Sequence, residues 1–106
     1  MSKRVVITGI GIYSCIGENI QEVTESLKEG ESGLGIDCVR KEMGYRSALT
    51  GVINTPNLKG VLSRRQRISL SEEAIYAYVA TKEALESAGI DDDFLDNHII
   101  GMIFGN

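Results

Sequence analysis

Arg4 to Thr8 reads RVVIT, an apolar run with β-branched residues on consecutive positions. A strand with water on one face alternates apolar and polar residues, whereas one buried on both faces need not. The run therefore predicts a strand inside a parallel sheet. Gly9 and Gly11 break it, and beyond Gly17 the spacing becomes helical. Ile20, Val23 and Leu27 share one helical face, Asn19 stands at the capping position with Glu22 three residues on, and Gly30 closes the segment. These signals predict a helix over Ile20 to Glu29.

From Gly30 to Gly60 the pattern weakens, with many glycines and the only proline, Pro56. Only Arg46 to Ile53 reads as extended, so an irregular connection with one short strand is expected there. The next element, SLSEEAIYAYVATKEALESAG, starts with Ser69 or Ser71 as cap and ends at Gly89. Glu72 and Glu73 in its first turn suit the positive end of a helix. Ile75, Tyr78, Val79, Lys82 and Leu85 trace a stripe, while Ala77, Ala80, Ala84 and Ala88 permit close approach. That mix predicts a helix buried on more than one side. Ile99 to Phe104, IIGMIF, is a second continuous apolar run and a second expected buried strand. Two such strands and two helices make an incomplete α/β layer, so the chain is expected to be the first part of something larger.

Composition narrows the function classes. The 106 residues suffice for one small domain, and 42% hydrophobic with 25% charged residues suits an ordinary globular protein. A net charge of -4 argues against general attraction to nucleic acid or anionic membrane. Cys15, Cys38 and the single histidine, His98, form neither a disulfide framework nor a ligand spacing for metal, and the start is too short in apolar residues for a signal peptide. A reduced, cytoplasmic protein without cofactor or metal is expected.

The opening stretch VVITGIGIYSCIGENI invites comparison with phosphate-binding loops. Its glycines are Gly9, Gly11 and Gly17, whereas the dinucleotide fingerprint needs glycine or alanine at Ser14 and an acidic residue about twenty residues on. No lysine followed by serine or threonine comes after Gly17, which removes the Walker loop as well. The glycines read more simply as a turn where backbone and sheet approach closely. Cys15 is either a nucleophile or a small buried hydrophobe, and no base is evident near it in sequence. Cys38 has no partner pattern. The acidic group Asp91, Asp92, Asp93 and Asp96 lacks calcium-loop spacing and reads as a solvated turn, with His98 ending a loop or starting a strand. In SRRQR, Arg64, Arg65 and Arg67 concentrate charge in an otherwise acidic chain. They are either a solvated cluster or a dock for an acidic or phosphate-bearing partner.

Taken in order, RVVITGIGIYSCIGENIQEVTESLKEGESGL, SRRQRISLSEEAIYAYVATKEALESAGI and IIGMIFGN resemble the N-terminal portion of β-ketoacyl-acyl-carrier-protein synthases, the elongating condensing enzymes of type II fatty acid synthesis. The resemblance implies a thiolase-like layered α/β fold, of which residues 1–106 are an incomplete N-terminal part, and a homodimeric parent. It implies decarboxylative condensation of an acyl group with malonyl carried on acyl carrier protein. The family's catalytic cysteine and two histidines lie beyond Asn106, so the chain by itself is expected to be inactive, and Cys15 matches no catalytic position. Gly9, Gly11 and Gly17 become a structural glycine loop. Acyl carrier protein becomes the expected partner of the basic cluster: Arg64 and Arg65 fall on the family's docking positions, and Arg67 is offset by about a residue from the next, which Ile68 or Ser69 occupies here. The remaining alternatives are a carrier-binding module without catalysis and a small nucleotide-binding α/β module.

Overall fold

A computed structural model describes residues 2–105. In it the chain is a mixture of helices and short strands. The two long helices follow from their caps. Helix α1, Ile20–Glu29, begins where the Asn19 side chain accepts from the Glu22 amide at 2.9 Å and ends at Gly30, whose φ of 69° is the left-handed turn that a residue with a Cβ adopts only at a cost. The Glu22 carboxylate reaches back to the Glu18 amide at 2.8 Å. Val23 and Ser26 are the residues that α1 buries.

Between residues 31 and 63 the structure is more ordered than the glycine-rich sequence suggests. Strands β1, Leu34–Ile36, and β2, Leu49–Gly51, pair antiparallel with Leu34 opposite Gly51 and Ile36 opposite Leu49. Two further backbone bonds extend the pairing, Asp37 to Ala48 and Val52 to Gly33. The expectation of a single short strand is thus corrected to a hairpin. Its connection holds helix α2, Cys38–Glu42, capped by Asp37, which accepts from the Val39 and Arg40 amides. The cap signal was present at Asp37 but had no apolar periodicity behind it.

Helix α3, Arg64–Ser69, follows a turn in which the Val61 and Leu62 amides both donate to the Leu58 carbonyl. The basic cluster, read from the sequence as preceding a helix, forms one of its own. Ser63 and Gln66 close a capping box on it. Ser71, and not Ser69, then caps the longest helix, α4, Glu72–Ala88, which stops at Gly89. The acidic turn is corrected to helix α5, Asp92–Asn97, capped by Asp91. His98 stands at its end, with Nδ1 2.8 Å from the Phe94 carbonyl and its ring stacked 3.9 Å from that of Phe94.

The two expected buried strands do not form. Among the described residues neither Arg4–Thr8 nor Ile99–Phe104 belongs to a sheet, and Val5, Ile7, Ile99 and Ile103 are 93%, 85%, 106% and 101% exposed. A continuous apolar run specifies what a segment can bury, but a strand also requires a neighbour to pair its amides and carbonyls. No described segment lies alongside either run in that way. Val23 and Leu58 are the buried hydrophobic residues among those described. The radius of gyration, 17.2 Å, exceeds the roughly 13 Å of a compact domain of this size.

Candidate functional site

Two places concentrate the residues marked out by the sequence. In the first, the backbone of the opening loop lies directly against α4. A Cβ added at Gly9 would fall 2.9 Å from the Ala88 Cβ and 2.7 Å from its amide nitrogen, and one at Gly11 would fall 2.8 Å from the Ala84 nitrogen. Glycine on one side and alanine on the other bring the two backbones this close. Gly17 meets the start of α1, where a Cβ would lie 2.6 Å from the Val23 nitrogen.

Glu83 ties this loop down. Its carboxylate accepts from the Ile12 amide at 3.0 Å through one oxygen and from the Ile20 amide at 2.8 Å through the other. Ile20 is the first residue of α1, so an anion sits at a helix N-terminus and bridges it to the glycine loop. A phosphate would use the same kind of donors. Glu83 was not singled out by the sequence reading, although a signal existed: it is an acid among the small residues Ala80 and Ala84 on the face that receives the loop.

Around the same loop, Tyr13 stacks on Tyr76 with ring centroids 5.5 Å apart and donates its hydroxyl to the Asn54 carbonyl. Burial, reinforced by the nearby Glu18 carboxylate, holds the Tyr13 hydroxyl above its ordinary pKa. Cys15 lies beneath the hairpin: a Cβ at Gly33 or Gly51 would stand 2.6 or 3.1 Å from its sulfur. It is a half-buried packing residue here, while Cys38 is exposed. Cys38 borders an open cleft of about 530 Å³ between the hairpin and the start of α4, together with Arg40, Thr55, Glu72 and Tyr76. None of the arginines of SRRQR reaches it.

The second place is α3. Arg64 and Arg65 occupy its first two positions and are exposed, while Arg67 is half-buried with its Nε atom enclosed and without a hydrogen-bond partner. The ion pair present among the described residues is Arg40 with Asp37, at 3.7 Å, so no carboxylate neutralises the α3 cluster. Acids occupy the first turn of α1, α4 and α5, whereas α2 and α3 have none, and α3 opens on two arginines. A cation there opposes the helix dipole at a cost of about 0.3–1 kcal/mol. Local helix electrostatics therefore does not account for two arginines at the start of α3, and their exposure leaves them open to a partner. Exposed, unpaired guanidinium groups present planar donors suited to carboxylates.

Comparison with known proteins gives this geometry its context. The family model described as Beta-ketoacyl synthase, N-terminal domain, matches residues 2–106. The chain is 39% identical over 103 residues to 3-oxoacyl-acyl-carrier-protein synthase 1 of Haemophilus influenzae, covering 97% of the chain and 25% of that protein. It is 37% identical over 105 residues to the synthase of the same name in Escherichia coli, covering 98% and 26%. A chloroplastic 3-oxoacyl-acyl-carrier-protein synthase I of Arabidopsis thaliana is 32% identical over 106 residues, covering 97% and 22%. The chain thus spans about a quarter of the length of the relatives it matches.

Proposed function

Because the chain belongs to the β-ketoacyl synthase family through its N-terminal domain, we propose that it supplies the opening scaffold and a carrier-docking helix of a condensing enzyme of fatty acid synthesis. The reaction of such an enzyme joins an acyl group, held as a thioester on a cysteine, to the carbanion released when malonyl on acyl carrier protein loses carbon dioxide. The cysteine and two histidines that the chemistry needs are contributed by polypeptide outside residues 1–106, within a thiolase-like layered fold and a homodimer in the cytoplasm. No helix among the described residues is long and apolar enough to cross a membrane.

Within this reading the glycine loop is structural. Gly9, Gly11 and Gly17 let the chain pass against α4 and α1, and the amides of Ile12 and Ile20 are already taken by Glu83. A nucleotide-binding role would need those amides free. Docking falls to Arg64, Arg65 and Arg67. The observation that carries it is the unneutralised cationic first turn of α3. The acidic face of a carrier protein would be steered to it by the local field and held by charge-assisted hydrogen bonds.

The test is binding of holo acyl carrier protein to the chain and to its Arg64→Glu, Arg65→Glu double variant, by calorimetry at low and moderate salt. The double variant is expected to lose more than tenfold in affinity and most of the salt dependence, because charge reversal replaces attraction by repulsion. Equal affinity for both proteins would reject docking at α3.

A further inference from the structure

The α3 surface is not uniformly cationic. Ile68 is 72% exposed, four residues after Arg64 and three after Arg65, the two spacings that place side chains next to each other on a helix. Val61, in the turn that leads into α3, is 49% exposed. Leu62 and Leu70, on either side of the helix, are half-buried, and Leu58 beneath the turn is buried. The apolar residues of this region thus divide into a buried or half-buried set and two exposed residues, of which Ile68 shares the helix surface with the arginines. Leu27 on α1 and Val39 on α2 are exposed to a similar degree, 68% and 63%, but neither follows two arginines at helical spacing as Ile68 does. Val5, Ile7, Ile99 and Ile103 lie in extended runs without a sheet partner, whereas Ile68 sits in a formed and capped helix whose backbone is already satisfied.

Resting on the docking role of α3, we propose that Ile68 is a specificity-determining contact: the acidic partner presents an apolar side chain, bordered by carboxylates, to the surface formed by Arg64, Arg65 and Ile68. The occupant is an acidic helical segment of a carrier protein. Charge complementarity to the unpaired arginines fixes its sign, and the apolar centre fixes its register. An interface in which charges surround an apolar contact divides the work, since rim charges govern encounter and salt dependence while the desolvated centre governs lifetime. A cation at position 68 would instead suit a partner whose face is acidic throughout.

The experiment measures affinity of the full chain for holo acyl carrier protein across a salt series, with Ile68→Ser, Ile68→Arg and the Arg64→Glu, Arg65→Glu double variant in parallel. Circular dichroism on each variant checks that helix content is kept. Ile68→Ser should weaken binding roughly tenfold, as loss of one buried aliphatic contact does, with the salt slope unchanged. Ile68→Arg should weaken it at least as much. Unchanged affinity for Ile68→Ser, or equal or tighter binding by Ile68→Arg, overturns the apolar contact while leaving the arginine reading standing. Unchanged affinity of the double variant overturns the docking role itself, and this inference with it.

Discussion

Residues 9–17 and residues 99–105 are both rich in glycine and branched apolar side chains, yet they end in opposite conditions. The first lies against α4, with the neighbours of Gly9 and Gly11 so close that a methyl group has no room. The second has nothing within 4 Å of the position a Cβ would take at Gly101 or Gly105, and its isoleucines face solvent. A glycine-punctuated apolar run therefore has no fixed structural meaning. Its role is set by whether another backbone arrives, and in the first case the arrival is secured by Glu83.

The sharpest way to break this contrast is Gly11→Val. The added side chain would collide with the Ala80 and Ala84 backbone, which cannot shift without distorting α4, and about 3 kcal/mol of stability should be lost in urea denaturation followed by circular dichroism. A tolerated valine would mean that close approach is not what distinguishes the two regions. Glu83→Ala comes next. It leaves two backbone amides unpaired in a partly buried place, with an expected loss of about 2 kcal/mol and faster hydrogen exchange at Ile12 and Ile20. Glu83→Gln, which keeps one acceptor, should recover about half of the loss. The smallest effect belongs to the open region: Gly101→Ala should alter stability by less than about 0.5 kcal/mol in the same assay. A large loss there would reveal contacts at residues 99–105 that the exposed geometry does not contain.

The helices show how far local signals reach. Asn19 with Gly30 and Ser71 with Gly89 delimit α1 and α4, and the sequence reading placed α1 at its observed bounds. Helices α2, α3 and α5 escaped it, although Asp37, Ser63 and Asp91 are all good caps. Each is six residues or fewer, too short to display an apolar period, so a cap without periodicity was read as loop or turn. The arginines were legible as charge, but their unneutralised state and the place of Arg64 and Arg65 in the first turn of a helix were not. Glu83 was invisible for a related reason. Its partners lie 71 and 63 residues away along the chain, and no spacing rule connects them.

Caps, turns and the glycine-to-alanine matching of loop and helix are written in residue type, because each depends on interactions within a few residues or on the absence of a side chain. By themselves they determined where the long helices begin and end and which positions could tolerate close contact. Strand formation at residues 4–8 and 99–104, the tether from Glu83 and the exposure of Ile68 beside Arg64 were decided only in three dimensions. A strand's hydrogen bonds, a carboxylate's distant amides and the solvent around a side chain all depend on what the rest of the fold places beside them.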